Sequence, residues 1–191
     1  HTLDLESPAS VACCAQFLRQ QVACIDYFIC ATGLLHDSEI QPEKRLQRLS
    51  DTAMQRLYQV NAAGPLSLAA ALEPVFKRSE APRLVFLSAQ VGSIADNQLG
   101  GWYSYRMSKA ALNMGVRTLA IEATRWRNAP VVMAVHPGTT ATPLSEPFIT
   151  NRRQVVRCTA ETAANIHHLI QQSDERHHGQ FFTAEGAPLP W

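Results

Sequence analysis

Tyr105 and Lys109 stand four residues apart in the run Tyr103-Ser104-Tyr105-Arg106-Met107-Ser108-Lys109-Ala110-Ala111-Leu112-Asn113. The run reads as a helix, so phenol and ammonium share one face. A free tyrosine ionises near pH ~10 and is a poor base at neutrality. A fixed positive charge close by favours the phenolate, so the spacing predicts that Lys109 draws the Tyr105 pKa downward. Such a pair moves a proton to or from a carbonyl or alcohol oxygen. Taken alone, the same spacing more often means a packed ring beside a solvated charge.

Three further groups bear on that chemistry. Pro65 follows Asn61 by four residues inside a helical stretch. It has no N–H to give the Asn61 carbonyl, so a kink and a carbonyl available to water are expected. Ser88 closes an apolar run and can steady a substrate oxygen; Ser93, after Gly92, is the other candidate. His136, before Pro137-Gly138, reads as structural. No Gly-x-Ser-x-Gly surrounds either serine, so a hydrolase elbow has no support.

The elements that position these residues follow from periodicity and caps. His1–Leu5 is expected to be the tail of a strand, and Ser7-Pro8 to open a helix reaching about Gln21. Apolar runs at 23–31, 83–88 and 130–136 read as buried strands, with a last one at 179–183. Helices are expected from Ser50-Asp51 to about Lys77, from Ser104 to Trp126, and from Thr159 to about Gln172. Alternating strands and helices imply an α/β chain with a parallel sheet covered on both faces. Ligands bind beyond the carboxyl ends of such strands. Asp4, Thr32-Gly33, Ser88 and Pro137-Gly138 all fall there.

Composition narrows the function classes. The 191 residues are 46% hydrophobic and 17% charged with net charge +1 and no basic block, which gives a nucleic-acid role no footing. Apolar stretches are short, so no membrane span is expected. The odd count of five cysteines, without a Cys-x-x-Cys pair, reads as reduced thiols in a cytoplasmic protein with no metal site.

The ordered set Asn61, Ser88, Tyr105-x-x-x-Lys109 and Pro137-Gly138-Thr139-Thr140-Ala141-Thr142 closely resembles the short-chain dehydrogenase/reductases. Gly92-Ser93-Ile94, the stretch from Gly100 to Lys109, and the ending Gly179-Gln180-Phe181-Phe182 … Gly186 … Pro190-Trp191 are similar to the branch of C-factor and sniffer-like carbonyl reductases. The resemblance runs over essentially the whole chain. It implies a Rossmann-like doubly wound sheet, read as one domain over 1–191. It also implies NADP or NAD as cofactor, a small carbonyl or alcohol substrate, and a homodimer or homotetramer. Small residues Ala110, Ala111, Gly115, Ala120 and Ala123 would let the helix from Ser104 approach a partner.

By resemblance, Tyr105 is the acid/base, and Lys109 lowers its pKa and holds the nicotinamide ribose. Ser88 steadies the substrate oxygen, and Asn61 holds a relay water. Asp4 and Leu5 lie at the adenine. Cys30-Ala31-Thr32-Gly33 matches an Asn-Asn-Ala-Gly turn, with Ala31, Thr32 and Gly33 lining the adenosine side. Pro137, Gly138, Thr140 and Thr142 lie over the nicotinamide.

Two departures stand out. The family's serine stands three residues before the loop glycine, where this chain has Ala89; Ser88 stands four before Gly92. The nine glycines contain no G-x-x-x-G-x-G spacing, so the phosphate-cradling loop is missing. The first two β-α units, roughly fifty residues on ordinary element lengths, are expected to be absent from this stretch. The readings are therefore an NAD(P)-dependent carbonyl reductase or alcohol dehydrogenase, a non-catalytic signalling or scaffold relative, or an epimerase or dehydratase using the same Tyr/Lys pair. Substrate choice is expected to lie with residues 95–102 and 143–157, where Trp102, Leu144, Pro147 and Phe148 suggest an apolar wall.

Overall fold

The computed structural model describes residues 1–149 and 155–191. Part of the expected substrate loop at 143–157 thus lies outside the described residues.

Helix α1 (Pro8–Gln21) starts where the Ser7 side chain accepts the Ser10 N–H and Pro8 fills the first turn. Strand β1 (Tyr27–Cys30) follows. Helix α2 (Asp51–Tyr58) is capped by Ser50. It runs through a π turn at Gln59–Ala63 into α3 (Gly64–Phe76). The kink expected from Asn61 and Pro65 takes this form: the Gly64 N–H reaches back five residues to the Gln59 carbonyl. Then come β2 (Arg83–Leu87), the 21-residue α4 (Tyr103–Ala123), β3 (Val131–His136), the short β4 (Thr139–Thr140) and β5 (Val156–Arg157), α5 (Thr159–Gln172), β6 (Gln180–Thr183) and β7 (Pro188–Leu189).

The main sheet has the order β1-β2-β3-β6-β7. Its first four strands are parallel, and β7 pairs antiparallel to β6. A parallel sheet must be covered on both faces, and alternate residues supply the two cores. Leu84, Phe86, Val132, Ala134 and Phe181 pack under α1, α3 and α4. Val85, Met133, Val135 and Phe182 pack against Ile166, Leu169 and Ile170 of α5. Past Leu189, Trp191 stacks on Phe181 with ring centroids 5.6 Å apart. Its main-chain carbonyl accepts the Ala95 N–H at 3.0 Å.

Three expectations need correction. His1–Leu5 is not a strand: it makes no ladder, and Leu5 is buried against the π turn instead. The apolar run at 23–31 yields only four strand residues, because a strand needs a partner and β2 reaches only Tyr27–Cys30. Of the five small residues of α4 expected to face a partner, Gly115, Ala120 and Ala123 pack within the chain. Ala120 and Ala123 are in the core, and a Cβ on Gly115 would stand 2.3 Å from Leu66 Cδ1 of α3. All five cysteines are free thiols. Among the described residues no helix is long and apolar enough to cross a membrane, and no group of three or more His, Cys, Asp or Glu could hold a metal ion.

Candidate active site

Two cavities open beyond the carboxyl ends of the parallel strands. The larger, about 580 Å3, is lined by Ala31, Thr32 and Gly33 after β1, by Lys109, and by Thr140 and Thr142 after β3. The other, about 400 Å3, is walled by Leu35, Val91, Leu99, Trp102 and Phe148, with His136 at its base. Ser88, Tyr105, Pro137, Gly138, Leu144 and Ser145 line both. Two groups able to handle a reacting oxygen therefore stand at the junction.

Ser88 comes to that junction at the end of β2, where its N–H continues the ladder to the Val135 carbonyl. Its hydroxyl donates to Oδ1 of Asn113 at 2.6 Å. A tight turn at Gln90–Gly92 follows it. Ser93 lines neither cavity; its hydroxyl accepts the Asp96 N–H, a local loop bond. Of the two candidate serines, the structure brings only Ser88 to the site.

Tyr105 and Lys109 lie on the inner face of α4 and are both buried. Lys109 Nζ donates to the Leu87 carbonyl at 2.9 Å and stands 6.0 Å from the Tyr105 ring centroid. Burial pushes the Tyr105 phenol up to about 12 and the Lys109 ammonium down to about 8. The expected lowering of the Tyr105 pKa is thus reversed in the free protein. Loss of phenolate solvation outweighs the charge of an ammonium that is directed at Leu87. At neutral pH burial keeps the Tyr105 phenol protonated beside a largely charged lysine.

Asn61 is fully buried beneath the site. Its side chain receives the Leu34 N–H at 2.7 Å and donates to the Leu34 carbonyl at 2.8 Å, so the amide binds the loop after Gly33 as one strand binds another. It also donates to Ser108 Oγ at 3.0 Å. A Cβ placed on Gly33 would meet Lys109 Nζ at 3.6 Å and Asn61 Oδ1 at 3.8 Å, which sets how closely the loop approaches both.

Asp4 and Leu5 do not line either cavity. The Asp4 carboxylate accepts the Glu6 N–H, and Leu5 packs on Gly64. His136 has Nδ1 buried without a partner, and burial lowers its pKa to about 4, so the ring is neutral. Sequence reasoning missed Asn113 and Ser108. Both stand on the Tyr105 face of α4, at +8 and +3, so helical periodicity could have found them.

The nicotinamide-ribose end of a nicotinamide dinucleotide suits the larger cavity in its donor set. A buried ammonium, the hydroxyls of Thr32, Thr140 and Thr142, and the close-packed Gly33 present hydrogen-bonding groups to a flat polar molecule.

Comparison with known proteins gives a consistent pattern. The sequence profile described as short chain dehydrogenase matches residues 1–153. C-signal of Myxococcus xanthus is 32% identical over 138 residues, which is 72% of this chain and 78% of that protein. The 1-hydroxy-2-glutathionyl-2-methyl-3-butene dehydrogenase of Rhodococcus sp. (strain AD45) is 27% identical over 191 residues, covering 99% of this chain and 78% of that one. Among solved structures, the carbonyl reductase Sniffer of D. melanogaster superposes with a TM-score of 0.87 at 20% identity, over 100% of this chain and 77% of that one. The NADPH-bound carbonyl reductase from chicken fatty liver gives 0.86 at 23% identity, over 99% and 75%. At these identities the two structures bear on the fold.

Proposed function

Because the chain belongs to the short chain dehydrogenase family, we propose that it is an NADP- or NAD-dependent oxidoreductase that reduces an aldehyde or ketone, or oxidises the matching alcohol. The observation that carries this reading is the placing of Ser88 and Tyr105 on both cavities, with Lys109 on the larger one alone. The larger cavity takes the nicotinamide, between Thr140 and Thr142 on one side and Ala31, Thr32 and Gly33 on the other. The smaller takes the carbonyl compound against Trp102 and Phe148.

A bound reduced nicotinamide supplies the hydride. The chain's own groups manage the oxygen. Ser88 steadies it, and Tyr105 gives it a proton as negative charge develops there. A phenol pushed up to about 12 is fully protonated at neutrality, which suits it to donate. Lys109, still largely charged, stabilises the tyrosinate left behind and binds the cofactor's ribose hydroxyls. Asn61 fixes the loop carrying Gly33, and its backbone, released by Pro65, holds the relay water. Asp4 and Leu5 would stand on the adenine side, outside both cavities.

The test is turnover of a panel of aldehydes and ketones with NADPH and NADH. Tyr105→Phe is expected to lower kcat by roughly 10²–10⁴-fold while nicotinamide fluorescence shows unchanged cofactor binding. Wild-type protein that binds neither nucleotide sinks the reading. Net oxidation of the nicotinamide separates a reductase from an epimerase or dehydratase.

A second reading, a signalling or scaffold role without turnover, is favoured by likeness to a protein named C-signal. Turnover abolished by Tyr105→Phe rejects it. We also read residues 1–191 as one domain that self-associates through the outer face of α4. Met107, Met114 and Ile121 stand there seven residues apart at 56%, 67% and 54% exposure.

A further inference from the structure

We infer that Glu43 is a positioning residue, which sets the first turn of α4 and through it the place of Tyr105 at the junction of the cavities. Glu43 lies on the loop between β1 and α2, far from Tyr105 in sequence. Yet it is buried, at 6% exposure. Its carboxylate accepts the Ser104 N–H at 3.2 Å and also the Ser104 hydroxyl. Its main-chain carbonyl accepts the Trp102 N–H at 2.5 Å. One residue thus grips both neighbours of Tyr103 at the helix start.

The charge on Glu43 points to a purpose beyond packing. Among the described residues no ion pair includes it. A buried carboxylate without a cation is costly unless fixed dipoles replace water. Here the partners are the free N–H end and the hydroxyl of a 21-residue helix, whose N-terminus carries positive partial charge.

The turn that Glu43 holds is an improbable one. Gly100, Gly101 and Trp102 have φ of 62°, 65° and 52°, three left-handed residues in succession. Trp102 is the one non-glycine residue with positive φ among the described residues. An L side chain is strained in that conformation, so it persists only where neighbours over-determine it. Glu43 supplies one such constraint, and Arg106 another through the Gly100, Gly101 and Val91 carbonyls. The result sets the Trp102 ring edge-on to Tyr105, centroids 6.2 Å apart, and to Phe148 at 4.8 Å. Leu35 and Ile40 of the same loop cluster with Tyr105 itself. Loop, tryptophan and tyrosine therefore pack as one cluster.

The catalytic part of this inference rests on the reductase reading; the positional part does not. The experiment accordingly has two arms, both on the full chain, in Glu43→Gln and in Ser104→Ala, which cuts the same contact more gently. In the first, the phenol of ring-labelled Tyr105 is titrated by NMR without cofactor or substrate. Its midpoint is expected to fall from about 12 toward the ordinary value in both variants as the turn loosens and water enters. In the second, steady-state reduction is expected to lose roughly ten- to a hundredfold in kcat, with KM for the nicotinamide unchanged, because misplacement of the donor costs rate and not binding. Glu43→Asp should recover part of both. An unshifted Tyr105 titration in a folded variant overturns the inference, and so does a kcat loss matched by an equal rise in nicotinamide KM. Absence of turnover in the wild-type protein defeats the reductase reading, and the titration still decides for Glu43.

Discussion

The Ser88 hydroxyl donates a hydrogen bond to Asn113 Oδ1 at 2.6 Å, in a site where both residues are buried. The serine facing the two cavities is therefore oriented by α4, the same helix that carries Tyr105 and Lys109. To donate to a substrate oxygen it must turn from Asn113, so the amide sets a resting position. Ser88→Ala removes this donor and leaves Oδ1 unpaired, at about 1–3 kcal/mol of stability in urea unfolding. It should also cost roughly 10²–10³ in kcat/KM for the carbonyl substrate. Asn113→Ala should cost comparable stability and less activity, since the hydroxyl survives. Equal activity loss in the two would show that orientation, and not the hydroxyl, is what matters.

Lys109 and Tyr105 make opposite contributions to stability as pH rises. Burial holds the lysine near 8, below its unfolded value, so its charge penalises the folded state at lower pH. That penalty is relieved from about pH 8 to the unfolded lysine value. The phenol, raised to about 12, costs stability once the unfolded tyrosine ionises near pH ~10. Urea midpoints should rise from pH 8 to 10 and fall beyond, and Lys109→Met should flatten the rise. In the reductive direction, kcat/KM for the nicotinamide, which reports the free enzyme, should decline above about pH 8 as the ammonium is lost.

Asn61 offers a sharp structural test. Its amide donates to the Leu34 carbonyl and to Ser108 Oγ and receives the Leu34 N–H. Asn61→Asp keeps the shape, removes both donors and buries a carboxylate. A loss of about 3 kcal/mol in chemical unfolding is expected. A near-neutral result would mean that the loop after Gly33 is held by its apolar contacts alone.

Gly64→Ala sets helix propensity against packing. Alanine is favoured by about 1 kcal/mol in a helix interior. Its Cβ would stand 2.7 Å from Leu5 Cβ and 2.9 Å from the Gln59 carbonyl. Overpacking of that kind costs typically 1–3 kcal/mol, so a net decrease in thermal stability is expected.

How much of this was legible in the chain depends on how local each signal is. The Ser7-Pro8 and Ser50 caps and the apolar runs at 83–88 and 130–136 located α1, α2, β2 and β3 within a residue or two, because caps and strand cores are written in adjacent positions. The Tyr105, Lys109 and Ser88 cluster was legible through helical spacing and resemblance. What escaped was non-local. Glu43 reaches Ser104 across 61 residues, and nothing around Glu43 announces it. The two-residue strands β4, β5 and β7 exist only through their partners. The reversal of the Tyr105 pKa escaped as well, since burial is set by the whole core.

The bond from Ala95 to the Trp191 carbonyl joins the far edge of the sheet to the loop that supplies Asp96, Gln98 and Leu99 to the smaller cavity. The stiffness of that wall is then borrowed from β7, the shortest rung of the sheet. Fraying of β7 would widen the cavity mouth well before the two cores give way. Warming should therefore broaden the range of substrates admitted before it unfolds the protein, and amide exchange at Ala95 should quicken together with that at Leu189.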